Sequence, residues 1–349
     1  MDPLTHAAAG ALLAQGIAPR GELRRAAIVG AVAGLLPDAD ILIRSAGDPL
    51  YTIEFHRHFT HSLLFVPLGA LLVALVLTPC LTGGLRIGRA WLYATVGMLQ
   101  AGIADAMTSF GTHLFWPSAN GRVAWNLVAV VDPVLTVIVV TAVVMSLRRI
   151  RAGPARIGLL AAGAYVALAF VQQERATSVA LALANERGHT IERMQVKPTL
   201  GNIVLWRSVY EAGSRFYVDA VRVGPAGGTR VYPGQSVERF EPGAFGQVSE
   251  DSTQAQDIER FARLSDDYLV AYPGRDRLIG DIRYAMLPDS IMPLWAIALT
   301  PQDPDRHVEF VALRDSGAAV RRAFMAMLLG KSRDKVSDTP SQHNSDALQ

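Results

Sequence analysis

The chain has 349 residues, of which 50% are hydrophobic and 18% are charged. This composition excludes a disordered protein and indicates a membrane protein, because average soluble chains carry about 25% charged residues. The formal net charge of +2 is a small surplus and not a clustered basic face, so we expect no nucleic-acid partner. The single cysteine, Cys80, excludes an internal disulfide.

Apolar segments fill the first half of the chain, and several of them approach the length of about 20 residues that crosses a bilayer. Two short segments come first, at residues 7–18 and 26–43, and they either pack as helices or form a half-membrane hairpin. Four longer segments are predicted to span the membrane, at residues 62–81, 90–107, 127–147 and 157–172. No basic stretch precedes the first apolar segment, so we expect no cleavable signal peptide.

The arginines predict an orientation in the membrane. Clusters follow the first short segment, the segment 62–81 and the segment 127–147. If the two short segments form a hairpin, the three clusters share one face, which the positive-inside rule makes cytoplasmic. The opposite face, and the chain after residue 172, are then extracytoplasmic.

From about residue 174 polar and apolar residues alternate, as in the strands of a soluble domain. Strands are predicted at residues 191–196, 202–210, 216–223, 278–286, 294–300 and 308–314, and helices at residues 253–264 and 317–329. We therefore expect a mostly α-helical membrane bundle over residues 1–173 and a small soluble α+β domain over residues 174–330. A disordered tail is expected at residues 331–349.

Histidine and aspartate side chains concentrate where the apolar segments reach the extracytoplasmic face. In chain order they are His6, Asp38, Asp40, His56, His58, His61, Asp105 and His113. Imidazole and carboxylate are ligands for Zn²⁺, Mn²⁺ or Fe²⁺, and a charge at the edge of the hydrocarbon is costly. We therefore predict a metal site formed by His6, Asp38, His56, His61 and Asp105. Taken singly, Asp40, His58 and His113 are better explained as interfacial or capping residues.

The spacing suggests separate roles for these residues. His56 and His61 would lie about 140° apart around a helix, so they cannot share one helical face. Thr60 is expected as the helix N-cap, which leaves His56 on the incoming loop and His61 in the first turn. Asp38 and Asp40 suit an irregular helix end, where the pair bridges two metals or ligates one and orients a histidine. Arg57 is either a surface charge or a clamp for a phosphate.

Four sequence blocks, at residues 4–10, 36–40, 56–62 and 105–112, together resemble the YdjM-like inner-membrane metal-dependent hydrolases. The resemblance covers about residues 1–175. It implies ligands at His6, Asp38, His56, His61 and Asp105, with Asp40 in support. The family's distant kinship with zinc-dependent phospholipase C and P1-type nucleases implies phosphoester hydrolysis.

Two positions depart from the pattern of that family. Ala101 stands where many members have a histidine, one helical turn before Asp105, and His58 stands where a glycine is common. Either His58 or His113 replaces the missing imidazole, or this chain holds fewer metal ions than its relatives.

These features predict a multi-pass hydrolase of the inner membrane that uses a divalent transition metal, with zinc favoured, on a membrane lipid or lipid-linked phosphoester. Asp40 or Asp105 is expected as the general base and Arg57 as a substrate-binding residue.

The alternative is a non-catalytic membrane protein, in which a metal or polar cluster only holds the helices together and the soluble domain binds a partner. A transporter is disfavoured, because Asp132 is the single acidic residue deep within a predicted span. His189 and His307 have no companions at ligand spacing and are expected to be surface histidines.

Overall fold

The computed structural model describes residues 1–225, 227–241, 249 and 251–332. These residues form two compact units. The first unit comprises Met1–Arg44, Tyr51–Glu174 and Lys197–Ile203; the second comprises Ser45–Leu50, Arg175–Val196 and the described residues from Val204 onward. Of the tail predicted to be disordered, residues 333–349 lie outside the described residues.

The N-terminal half is helical, as predicted. Its helices are α1 (Pro3–Ile17), α2 (Leu23–Leu35), α3 (Pro49–Phe55), α4 (Val66–Leu77), α5 (Ile87–Ala106), α6 (Pro133–Arg149) and α7 (Gly153–Glu186). Short 3₁₀ turns lie at Arg20–Glu22, Leu36–Leu42, Phe59–His61 and Thr78–Cys80.

Several predicted helix boundaries were wrong. The segment 127–147 becomes helical only at Pro133, because proline suits the first helical position and Asp132 caps the helix by accepting from the backbone N–H of Val134. The segment 62–81 forms α4 only from Val66, and α7 extends well beyond residue 172. The short helix α3 was not predicted, because it contains no long apolar run.

Among the described residues, α7 alone is by itself long and apolar enough to cross a membrane. A second span is obtained if Pro49–His61 and Val66–Cys80, which meet at a bend of 82°, are taken together. Helices α4 and α6 have 12 and 17 residues, whereas a membrane span typically has about 20 residues. Helix α5 has 20 residues but is not apolar enough, so of the four predicted spans the segment 157–172, within α7, meets the combined test of length and hydropathy by itself.

Glycines allow α1, α2 and α5 to pack with their backbones almost in contact. A Cβ atom at Gly30 would lie 2.3 Å from the carbonyl oxygen of Gly10, and one at Gly97 would lie 2.6 Å from that of Gly30. Small residues permit this close approach in membrane-type bundles. The packing fixes the relative positions of the helix ends that carry the candidate site.

The second unit contains two four-stranded sheets and two helices, which is consistent with its predicted α+β class. The first sheet has the order β1 (Arg193–Pro198), β2 (Leu205–Ala212), β3 (Arg215–Val223) and β4 (Thr229–Glu238). The second has the order β5 (Leu269–Ala271), β6 (Leu278–Asp281), β7 (Trp295–Ala298) and β8 (Glu309–Ala312). Two helices complete the unit, α8 (Thr253–Leu264) and α9 (Ala318–Leu328).

The sequence did not predict strands β4 and β5, and it predicted β6, β7 and β8 too long. Strand β4 contains Pro233 and Gly234, which normally argue against a strand. A register shift between Tyr217 and Asp219 of β3 accommodates this irregular stretch as a bulge. Helix α8, in contrast, has the predicted bounds, because Ser252 gives a clear capping signal.

Candidate metal centre

Residues from separate helix ends meet in one buried cluster of the first unit. His6 lies in α1, Asp38 in the 3₁₀ turn after α2, and Asp105 at the end of α5; one ligand atom from each lies within 4.8 Å of the other two. His61 joins them, with its Nε2 atom 3.1 Å from Asp105 Oδ2 and 3.5 Å from Asp38 Oδ1. We call these four residues the first cluster. The structure thus brings together four of the five ligands predicted from sequence.

The backbone around the two histidines of the first cluster packs directly on glycines. A Cβ atom at Gly34 would lie 2.6 Å from the carbonyl oxygen of His6, and one at Gly102 would lie 2.5 Å from that of His61. The Gln100 side chain donates a hydrogen bond of 3.0 Å to the His6 carbonyl. The helix packing therefore sets the positions of both imidazoles.

The first cluster is closed to solvent except at Asp38. The side chains of His6, His61 and Asp105 are 0% exposed, whereas that of Asp38 is 20% exposed. Two cationic groups contact Asp105: the amino group of Met1 donates to Oδ1, and Arg57 Nε lies 3.0 Å from Oδ2.

Several polar atoms of the first cluster are buried without a hydrogen bond of good geometry. They are His6 Nδ1, Asp38 Oδ2, His61 Nε2 and Asp105 Oδ2. Buried polar atoms in this state are uncommon, because each loses its hydration without compensation. Imidazole nitrogens and carboxylate oxygens are also the donor set of a transition-metal site, so the residues present fit such an ion.

Asp40 is buried beside the first cluster and accepts three hydrogen bonds. The donors are His56 Nδ1 at 2.9 Å, the backbone N–H of Arg57 at 2.7 Å and the Thr60 hydroxyl at 3.0 Å. Its Oδ2 atom also lies 3.4 Å from His61 Nδ1. Asp40 therefore orients both histidines, as a carboxylate behind metal ligands does.

The expectation that Thr60 caps a long helix was wrong. Thr60 lies inside the 3₁₀ turn Phe59–His61, and the N-cap of α4 is Phe65. The Thr60 hydroxyl is used by Asp40 instead. His61 is consequently held on a separate turn and not on the first turn of α4.

Arg57 lies inside the protein and not at its surface. It has a φ of 59°, an unfavourable value for a residue with a side chain, and its backbone N–H and carbonyl are held by Asp40 and the Thr112 hydroxyl. Its guanidinium contacts Asp105 and donates 3.1 Å to the Thr108 hydroxyl. Arg57 thus neutralises Asp105 in this structure, and its role in substrate binding stays a prediction.

The other predicted histidines lie outside the first cluster. His58 and His113 pack against each other with ring centroids 4.4 Å apart, and Trp116 lies 5.6 Å from His58. Burial, assisted by the Arg122 guanidinium, lowers the pKa of His113 to about 4, so its imidazole is neutral at physiological pH. Ala101, which stands in place of the family's histidine, is fully buried. Neither His58 nor His113 joins the ligand atoms of the first cluster, so neither replaces that histidine.

Sequence reasoning missed the residues that support the centre. Gln100 and Thr108 hold His6 and Arg57, while Arg122 donates 2.9 Å to the carbonyl oxygens of Ile53 and His56. A glutamine in the middle of an apolar segment was a usable signal. Arg122 gave none, because its partners lie far away in sequence.

A second group of ligand-type residues lies in the second unit. Atoms of Asp48, Asp257 and His307 lie within 4.8 Å of one another, so His307 has companions in space that the sequence spacing does not reveal. Arg260 donates 2.8 Å to Asp48 Oδ2 and 2.7 Å to Asp257 Oδ1. Burial would raise the pKa of Asp48, but the Arg260 guanidinium holds it below its usual value. We call these four residues the second cluster.

His189 is hydrogen-bonded in the second unit, although it was expected to be a simple surface histidine. Its Nδ1 atom lies 2.8 Å from the hydroxyl of Tyr210, and its ring packs 4.2 Å from that of Tyr217. The Arg187 guanidinium donates to the same hydroxyl and forms a two-bond pair with Asp219. These groups satisfy one another and leave His189 in a structural setting.

Comparison with known proteins agrees with the resemblance noted in the sequence. Residues 1–176 match the model of the family described as YdjM inner membrane protein. The inner membrane protein YbcI of Escherichia coli (strain K12) is 30% identical over 131 residues, which are 36% of this chain and 75% of YbcI. No solved structure matches the chain. The match contains the whole first cluster. Because it spans half of the chain, the chain belongs to the YdjM family of inner membrane proteins.

Proposed function

We propose that the protein is a metal-dependent hydrolase that cleaves a phosphoester on a membrane lipid or a lipid-linked group. The observation that carries the proposal is the first cluster. It combines two imidazoles and two carboxylates in a buried layer, with four atoms that lack a hydrogen bond of good geometry. Burying so many ionisable groups in an inner membrane protein costs free energy, so such groups usually have a function.

His6, Asp38, His61 and Asp105 would hold the ion. Their mixed nitrogen and oxygen donors suit Zn²⁺, with Mn²⁺ and Fe²⁺ as the nearest competitors. When bound, such a cation supplies Lewis-acid polarisation of a phosphoryl oxygen and makes water a better nucleophile.

The protein's own residues divide the remaining work. Asp40 is fully buried and already accepts three hydrogen bonds, so we assign it to orientation and not to the role of general base. The His56 side chain is 29% exposed and is held at Nδ1 by Asp40. An imidazole held in this way can accept a proton at its other nitrogen, and we assign proton transfer to His56.

Asp105 has a separate part in this scheme. It was the other general base expected from the sequence, but its side chain is fully buried and paired with Arg57. We therefore assign Asp105 to metal binding. Asp38, the partly exposed member of the first cluster, marks the side from which substrate reaches the ion.

Opposite helix ends support a multi-pass arrangement. The C-terminal end of α1 meets the start of α7, where Arg156 donates to the Gly16 carbonyl, and the start of α2 meets α5 through the Glu22–Arg89 pair. The first cluster lies at the other ends of α1, α2 and α5. By the positive-inside rule the arginine-rich end is cytoplasmic, which makes the first cluster and the end of α7 extracytoplasmic.

Apolar side chains on the helix surfaces support contact with lipid. Leu68 on α4 is 63% exposed, Val137 on α6 is 63% exposed and Leu160 on α7 is 76% exposed. Large exposed apolar surfaces of this kind mark membrane or protein contacts. A substrate embedded in the same bilayer would reach Asp38 laterally.

Metal analysis combined with a hydrolysis screen tests the proposal. We expect the detergent-purified protein to contain a stoichiometric transition metal and to cleave a phosphodiester or phospholipid substrate. His61→Ala should lose both properties, whereas the matched control His307→Ala should keep both. His56→Gln should keep the metal and lose hydrolysis; loss of the metal in that variant would instead make His56 a ligand. Protein without metal, or a fully active His61→Ala variant, would refute the proposal.

A second candidate is a structural metal site in a non-catalytic protein. It is favoured by the complete burial of His6, His61 and Asp105, because structural sites are closed by four protein ligands. Substitution with Co²⁺ separates the two possibilities. A spectrum that changes on addition of inorganic phosphate indicates the open coordination position that hydrolysis requires, and an unchanged spectrum indicates a structural site.

A further inference from the structure

Helix α9 is fixed to the first sheet of the second unit by one face. Its Met327 side chain is fully buried among Leu205, Ala220 and Tyr232. The Tyr232 hydroxyl donates 3.1 Å to the Met327 carbonyl, and Arg222 donates 2.8 Å to the Leu328 carbonyl. The opposite face of α9 therefore has a fixed direction.

That opposite face combines cationic and large apolar side chains. Arg321 and Arg322 are exposed, Met325 is 48% exposed and Leu329 is 59% exposed. Arg321, Met325 and Leu329 follow one another at intervals of four, so they share one side of the helix. These residues, with Lys331, line an open cavity of about 450 Å³.

The charge of this face has one sign. Residues 316–332 include Arg321, Arg322 and Lys331 and no acidic residue. Guanidinium groups match the geometry of phosphate, and flexible methionine and leucine side chains accept an acyl chain. Helices with cationic and exposed apolar residues on one surface lie at the headgroup level of anionic bilayers.

We propose that the outer face of α9 binds the phosphate headgroups of anionic membrane phospholipids, with Met325 and Leu329 inserted toward the acyl chains. A bilayer is always present, because the chain belongs to a family of inner membrane proteins. The positive charge of the face complements an anionic lipid surface and would repel a basic partner. This interaction is separate from the first cluster and does not require hydrolysis.

Site-specific labelling of the full chain in nanodiscs tests the assignment. In a Cys80→Ser background, Met325→Cys is labelled with an environment-sensitive fluorophore, and Glu259→Cys on the exposed side of α8 is the matched control. With phosphatidylglycerol present, spin-labelled lipids should quench the label at position 325 and not at position 259. Nanodiscs of phosphatidylcholine alone should give little quenching at either position.

Charge variants complete the test. Arg321→Glu with Arg322→Glu should lower quenching at position 325 by about fivefold, whereas Arg321→Lys with Arg322→Lys, which keeps the charge, should retain it. Equal quenching at positions 325 and 259, equal quenching in both lipids, or no effect of charge reversal would overturn the proposal. Quenching that appears only after removal of residues 333–349 would also overturn it, because those residues would then be the occupant.

Discussion

The first and second clusters each bring histidine and aspartate atoms within 4.8 Å of one another, yet their hydrogen bonding differs. In the second cluster Asp257 is saturated: Arg260 donates to Oδ1, while His307 Nδ1 and the Val308 N–H lie 2.9 and 3.0 Å from Oδ2. None of its buried side-chain atoms lacks a hydrogen bond. In the first cluster four buried atoms do lack one.

This difference shows why ligand spacing alone does not identify a metal site. A buried carboxylate must be compensated by hydrogen bonds or by opposite charge. In the second cluster Arg260 and the backbone supply that compensation within the protein. In the first cluster Arg57 and the Met1 amine satisfy part of Asp105, and His6, Asp38 and His61 retain capacity for a cation.

The largest expected effect is the loss of metal from the first cluster. Asp105→Asn removes the charge that faces His6, His61 and Arg57, so metal content should fall from stoichiometric to near zero in elemental analysis. The matched variant Asp257→Asn should leave metal content unchanged. If Asp257→Asn lost the metal and Asp105→Asn kept it, the assignment of the two clusters would be reversed.

The second expected effect is on folding and not on metal. Asp257 is 1% exposed, and Asp257→Ala removes the carboxylate that His307 Nδ1, the Val308 N–H and one arm of Arg260 share. Removing one partner of a buried ion pair costs about 3–5 kcal/mol. Hydrogen exchange of α8 and β8 in the full chain should show a loss of protection of this order. A loss below about 1 kcal/mol would mean that the second cluster is dispensable for stability.

A smaller effect is expected behind the first cluster. Asp40→Asn keeps an acceptor for His56 but removes the charge that orients it and His61. Loss of such an orienting carboxylate weakens metal binding by about 10–100-fold. Competition with a chelator measures the affinity, and the metal stoichiometry at saturation should stay unchanged. Asp48→Asn is the control, and an equal loss of affinity in both variants would remove Asp40 from this role.

The sequence predicted the helical half, the α+β class and a set of five ligands, of which His6, Asp38, His61 and Asp105 meet and His56 does not. These features depend on apolar periodicity and on which end of each helix carries the polar residue. His6 near the start of α1, Asp38 after the end of α2 and Asp105 at the end of α5 share a layer because consecutive helices run in opposite directions.

The sequence could not predict how each residue is used once the layer has formed. The pairing of Arg57 with Asp105, and the hydrogen bond between Thr60 and Asp40, depend on tertiary contacts that no short motif encodes. The second cluster joins residues 48, 257 and 307, a separation for which no spacing rule exists. Strand β4 was missed because the bulge that admits its Pro233 is formed by pairing with β3.

The smallest expected effect concerns the geometry of the cation in the second cluster. Arg260 reaches Asp48 through Nη2 and Asp257 through Nη1, and lysine offers a single nitrogen in place of this fork. Arg260→Lys should therefore lower the protection of α8 by about 1 kcal/mol, the net value of one typical hydrogen bond, without metal uptake. Arg263→Lys is the matched control, because its pair with Glu259 is exposed and 3.8 Å long. Equal protection in the two variants would show that charge alone, and not the two-armed guanidinium, satisfies the second cluster. Uptake of a metal ion by Arg260→Lys would show instead that Arg260 is what keeps this cluster from being a metal site.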